Sequence, residues 1–145
     1  MNIIEIPFKI IELDDQQNIM LMVGAFLGEH PVNLVIDTGA SHSCLSKKSA
    51  KNLTDKKTVK ADIVVGIGKG RLRNKLVNVP NFKIGDLEIH DYPFLILPLA
   101  HINKMLSSIG LDTIDGFLGS DILHAHNAII DYGNRIIQLQ VNELE

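Results

Sequence analysis

At 145 residues, with 46% hydrophobic and 21% charged, the chain has the balance of an ordinary soluble globular protein able to bury one core. A net charge of −3 argues against a phosphate-binding surface, because nucleic-acid binders carry a basic excess. The single cysteine, Cys44, excludes an intramolecular disulfide, and no apolar run is long enough to cross a bilayer as a helix.

The N-terminal residues Met1-Asn2-Ile3-Ile4-Glu5-Ile6-Pro7 lack the basic start and continuous apolar core of a signal peptide, so a cytoplasmic location is the expectation. Short runs rich in Ile, Val and Leu then recur, broken about every eight to twelve residues by turn formers, which reads as all-β with few helices. Strands are predicted over Ile3 to Leu13, Ile19 to Leu27 and Val32 to Asp37, separated at Asp14-Asp15 and Gly28-Glu29. Ser46 to Leu53 reads as a helix with Ser46 as its N-cap. Thr58 to Ile67 and Leu72 to Val79 read as hairpin arms around Gly66-Ile67-Gly68-Lys69-Gly70. The alternating Lys69, Arg71, Arg73 and Lys75 fit a solvated strand face. Further strands are expected at Phe82 to Ile84, Leu87 to Ile89 and Tyr92 to Leu97, then a helix over His101 to Ile109. The strand Phe117-Leu118 stops at Gly119, a short helix covers Ser120 to His124, and a last hairpin joins Ala128–Asp131 to Arg135–Val141 through Gly133-Asn134. No linker or low-complexity tract divides the chain, so residues 1–145 are expected to form one domain.

The segment that carries chemistry is Leu34-Val35-Ile36-Asp37-Thr38-Gly39-Ala40-Ser41. A β-branched strand holds a carboxylate rigidly at its end. Gly39 permits a tight turn and close backbone approach, Thr38 offers a hydroxyl to lock that turn, and free N–H groups can hydrogen-bond the carboxylate. One carboxylate is a poor catalyst of peptide hydrolysis. Two that share a proton supply a base and an acid together, because like charges so close do not both ionise. The chain has one Asp-Thr-Gly, so the second carboxylate must come from a second copy across a twofold axis.

Asp37-Thr38-Gly39-Ala40-Ser41 after Val35-Ile36 resembles the active-site signature of retropepsin-like aspartic peptidases. The later Phe117-Leu118-Gly119-Ser120-Asp121-Ile122-Leu123 is similar to the apolar-apolar-Gly element and short helix of the same family. Asp115-Gly116, Ile129-Ile130-Asp131-Tyr132 and Phe82-Lys83-Ile84-Gly85-Asp86-Leu87-Glu88-Ile89 resemble its bacterial members. The resemblance covers roughly residues 19 to 139 and implies a closed acidic-protease-type β-barrel with one or two short helices and half a site per chain. It implies Asp37 as the catalytic residue, Thr38 and Gly39 as support of the turn, and Ala40 with a flap at Gly66, Ile67 and Gly68 as substrate-binding. It implies a homodimer acting on a peptide or protein, with no cofactor, metal, nucleic acid or membrane. Ala40 stands where pepsin-like enzymes have Ser, and the flap has no pepsin-type tyrosine.

Rival readings are blander. Asp37-Thr38-Gly39 is also what an ordinary strand-end turn contains. Asp115 and Asp121 lack a following Thr-Gly, so helix capping or a turn is expected of them, especially Asp115. The Gly66-x-Gly68-x-Gly70 glycines precede a strand rather than the helix a dinucleotide site needs. His124-x-His126 has no third ligand at a recognisable spacing, and the histidines read as surface residues. Cys44 reads as a small buried residue, and Asn52-Leu53-Thr54 as a chance sequon. The competing functional class is a retropepsin-fold binding or dimerisation module that keeps the aspartate without turnover.

Overall fold

A computed structural model describes residues 2–53, 58–63 and 72–141. In chain order the elements are β1 (Asn2–Pro7), β2 (Lys9–Glu12), β3 (Ile19–Leu27), β4 (His30–Ile36), β5 (Cys44–Ser46), α1 (Lys47–Lys51) and β6 (Thr58–Ile63). They continue as β7 (Leu72–Ile84), β8 (Leu87–Leu97), α2 (Ala100–Ser108), β9 (Gly116–Leu118), α3 (Ser120–Ala125), β10 (Ile129–Asp131) and β11 (Ile136–Val141).

Six strands close on themselves. The order β3-β4-β9-β5-β8-β7 returns to its start because Phe26 and Leu27 of β3 pair with Lys83 and Phe82 of β7. β2 extends the ring along β3, and β6 extends it along β7. A separate three-stranded sheet, β1-β11-β10, lies beside it. Phe82, Phe94, Leu34, Leu45 and Leu118 of the ring, with Ile137 and Leu139 of the small sheet, share one core cluster. A second cluster, Met22, Val35, Leu99, Leu106 and Ile114, is covered by α2. Closure leaves the six ring strands without a free edge, which is how an all-β chain avoids exposing a pairing template.

Turn chemistry accounts for the hairpins. Gly28 and Gly85 stand at the first position of two-residue turns with φ +63° and +56°, a conformation costly for a side chain and cheap for glycine. Proline accounts for two departures from the expected strands. The single strand expected over Ile3 to Leu13 is two, because Pro7 has no N–H to continue a ladder. Phe8 donates to the Arg135 carbonyl, and the chain passes from the small sheet into the ring. Conversely, Leu72 to Val79 and Phe82 to Ile84 are one strand. β7 runs through Pro80, and opposite it Asp91 takes φ +53°, so both step out of the ladder while pairing resumes on either side. β8 likewise joins two expected strands. β5 has only three residues, too few for a periodic signal; all three are buried between β9 and β8.

The arms β6 and β7 pair antiparallel from Thr58↔Val77 to Ile63↔Leu72. The hairpin tip, with Gly66, Ile67 and Gly68, lies outside the described residues.

Candidate active site

β4 delivers Asp37. Leu34, Val35 and Ile36 are all buried, and they pair in parallel with Gly116, Phe117 and Leu118 of β9. Asp37 emerges half-buried at the end of this pair, its N–H donating to the Leu118 carbonyl (3.0 Å). The chain then turns, with the Ala40 N–H donating to the Asp37 carbonyl (3.1 Å). The Gly39 N–H donates to Oδ1 of the Asp37 carboxylate (3.0 Å), and a Cβ on Gly39 would stand 3.3 Å from that same oxygen. Glycine here keeps the carboxylate accessible as well as the turn tight.

The turn is tied from the other side by the start of α3. The Ser120 hydroxyl donates to the Thr38 carbonyl (2.6 Å), and the Ser120 N–H to the Ala40 carbonyl (2.7 Å). The Gly119 N–H donates to the buried Ser43 hydroxyl (2.8 Å). A Cβ at Gly119 would meet the Ala40 carbonyl oxygen at 2.8 Å and the Ser43 nitrogen at 3.0 Å, so the two segments cross at a distance only glycine permits. The hydroxyl expected to lock the turn was that of Thr38; the bonds that tie it here come from Ser120 and Ser43.

Asp121 is not the second acid of the site and not a simple helix cap. Its carboxylate takes the Ser43 N–H (3.0 Å), the Ser43 hydroxyl (2.8 Å) and the Tyr92 hydroxyl (2.7 Å), with His42 Nδ1 at 3.2 Å. Burial pushes this carboxyl up, but the bonds from His42, Tyr92 and Ser43 outweigh it and hold it far below the usual carboxylate range. The bond to Asp121 raises His42 above its ordinary value, and burial plus the Asp121 charge raise the Tyr92 phenol. His42 is thus no surface histidine, its side chain being 22% exposed. Asp115 caps no helix either. It accepts from the Asn33 N–H and the Ser49 hydroxyl (both 2.8 Å), tying β4 to α1. The sequence signal that could have separated these two aspartates was weak: each follows or enters a glycine element, with partners far away along the chain.

Cys44 is buried, and burial pushes its thiol up to about 11, which leaves a neutral, unreactive group behind the turn. Beside Asp37 opens a hollow of about 240 Å³, walled by Ile19, Met20, Val35, Ile36, Ile130 and Tyr132. Among the described residues no cluster of three or more His, Cys, Asp or Glu could hold a metal ion.

The sequence model of the family described as "Aspartyl protease" matches residues 23–122, from β3 through the Asp37 turn to the start of α3. The chain belongs to the aspartyl protease family. Among curated proteins it is similar to DNA damage-inducible protein 1 of Kluyveromyces lactis, 29% identical over 126 residues. That match takes in 83% of this chain but 26% of the relative, so the chain spans about a quarter of that relative's length. Among solved structures it is similar to a retropepsin-like aspartic protease from Rickettsia conorii, 19% identical, with a TM-score of 0.55 over 95% of this chain and 89% of that one. The six-stranded ring is therefore a retropepsin-like β-barrel, as the Asp37 and Gly119 motifs led one to expect.

Proposed function

We propose that two copies of this chain form one endopeptidase, with the two Asp37 carboxylates facing each other across a twofold axis. The observation that carries this reading is the placement of Asp37: a half-buried carboxylate at the mouth of a rigid buried strand pair, oriented by the Gly39 N–H. The family and the single Asp-Thr-Gly in the chain support it. One carboxylate takes a proton from a water as it attacks the peptide carbonyl carbon. The other gives its proton to the carbonyl oxygen, and the product of this step is a gem-diol. The same pair then returns a proton to the leaving nitrogen. The peptide lies extended between the turn and the β6–β7 hairpin, held by main-chain hydrogen bonds, with alternate side chains in hollows such as the one beside Asp37.

The test is hydrolysis of a mixed peptide library by the purified chain and by Asp37→Asn, with sedimentation at the same concentrations. The variant should keep its fold and dimer while losing at least about a hundredfold in rate, the usual size of a lost acid–base group. Equal hydrolysis by both forms overturns the assignment. A folded dimer that cleaves nothing places the chain with the binding modules instead.

A further inference from the structure

The hydrolysis just described uses none of the groups gathered on Asp121, yet the four donor atoms on that one carboxylate come from two separate stretches of the chain, residues 42–43 and Tyr92. Capping a six-residue helix does not require them. His42 and Ser43 belong to the loop that leaves the Asp37 turn, while Tyr92 comes from β8 and packs edge-on to the His42 ring at 6.5 Å. The other titratable groups near the pair are Cys44 of β5, neutral in its buried site, and Asp37 itself, whose charge and that of Asp121 both reach Cys44.

We infer that Asp121 and His42 are positioning residues for the Asp37 turn, acting through Ser43 and Gly119, and that the protonated imidazole tightens the hold. The proposal rests on the peptidase reading above. An ionised carboxylate only accepts, so the Ser43 hydroxyl must point its hydrogen at Asp121. That leaves a lone pair of the same oxygen facing the Gly119 N–H. Gly119 directly follows Leu118, whose carbonyl receives the Asp37 N–H. Both ends of the catalytic turn, Asp37 and Ser43, are therefore registered on residues 118–121, and Asp121 sets the direction of the bond that closes the frame.

His42 adds the pH dependence. Its Nδ1–H is shared between Asp121 Oδ2 (3.2 Å) and the Ser43 carbonyl (3.1 Å), so the proton it gains or loses is the one on Nε2. With that proton the pair is neutral overall and its bond charge-assisted; without it the pair is a lone anion with a weaker partner. Because Asp121 raises His42, the tightened state persists to a pH above the ordinary imidazole range and is lost as pH rises through the raised value.

The experiment is an NMR titration of the isotope-labelled full chain, following the His42 ring and the amides of Gly39, Ser43 and Gly119. The His42 midpoint should lie above about 6.5, the ordinary imidazole value, and the three amides should move with that same midpoint. In Asp121→Asn the midpoint should fall and the amides should stop following it. Both results should repeat in an Asp37→Asn background, which removes any titration of the catalytic carboxylates. Kinetically, Asp121→Asn should lower kcat about tenfold or more with KM changed less than about twofold, as expected of a displaced catalytic group. The step in the pH profile that coincides with the His42 midpoint should disappear. A merely structural role predicts less folded protein with an unchanged pH profile per folded site, and that result overturns the inference. So do amides indifferent to His42. Should Asp121→Asn not fold, Ser43→Ala removes only the relaying hydroxyl and must show the same split of kcat from KM. Absence of any Asp37-dependent hydrolysis sinks the peptidase reading alone, since the titration is read without turnover.

Discussion

Replacing Gly119 by alanine adds one methyl group where the turn and the β9–α3 junction cross. Gly119 has φ −98° and ψ −179°, extended backbone open to any residue, so the substitution carries no dihedral penalty. The cost is purely steric. The new Cβ would stand 2.8 Å from the Ala40 carbonyl oxygen, 2.9 Å from the His42 carbonyl carbon and 3.0 Å from the Ser43 nitrogen. All three are backbone atoms of the segment that holds Asp37, so none can swing aside as a side-chain end would. Forced overpacking of this kind costs about 1–3 kcal/mol. Alanine also restricts the unfolded chain, which returns about 0.4–1 kcal/mol. A net loss of up to roughly 2.6 kcal/mol, centred near about 1.3, remains, worth a few degrees in Tm for a chain of this size. Gly24 in β3 is the internal control: it has ordinary φ and nothing within 4 Å of its missing Cβ, so Gly24→Ala keeps only the favourable part. Urea denaturation of both variants beside the parent chain reads the sign at each site, and peptide hydrolysis should fall only in Gly119→Ala. Equal stability of the two variants would refute the crossing as the reason for glycine.

If two copies share one site as proposed, hydrolysis per mole of chain should fall steeply with dilution near the dimer dissociation constant; strict proportionality at concentrations where sedimentation finds only monomer contradicts the shared site. Asp115→Ala leaves the Asn33 N–H and the Ser49 hydroxyl without their acceptor and should lower stability by about 1–3 kcal/mol in urea denaturation, whereas a neutral result would show that water replaces the carboxylate. The stability difference between the parent chain and Asp121→Asn should depend on pH in a defined way. Asp121 is held low, so its contribution is present above about pH 4 and lost as pH falls through the folded value; His42 is raised, so its contribution is present below about pH 6.5 and lost as pH rises through the folded value. Denaturation at about pH 3, 5.5 and 9 should give the largest difference at the middle point, and a flat difference would show that the pair is not formed.

The strands and the barrel were legible because Ile, Val and Leu runs of strand length alternate with glycine and aspartate turns, as at Gly28 and Gly85. The proline departures had a signal in plain view. Pro7 should have split the first strand by its missing N–H. Pro80-Asn81 reads as a turn locally, and only the pairing of both flanks with β8 overrides that preference. β5 gave no signal, since its three residues are all buried and show no alternation. Asp37, Thr38 and Gly39 stood out because their chemistry is compressed into three positions. The Asp121 network did not, because Ser43 and Asp121 are 78 residues apart and nothing local in either segment states the bond.

That separation hides a single device. The parallel register sets Leu34, Val35 and Ile36 level with Gly116, Phe117 and Leu118, so Asp37 and Gly119 are the next residues on two adjacent strands. Each motif supplies what the other lacks. The first brings a carboxylate and a turn with carbonyls pointing outward at Thr38 and Ala40; the second brings the Ser120 hydroxyl and N–H that satisfy those carbonyls, and the Leu118 carbonyl that receives the Asp37 N–H. A turn with unpaired backbone groups at a half-buried site would lose roughly the cost of an unmade hydrogen bond for each. Asp-Thr-Gly therefore positions a carboxylate only when the apolar-apolar-Gly-Ser element runs alongside it. A copy of the first motif without the second is an ordinary strand-end turn, and the pairing is what distinguishes this one.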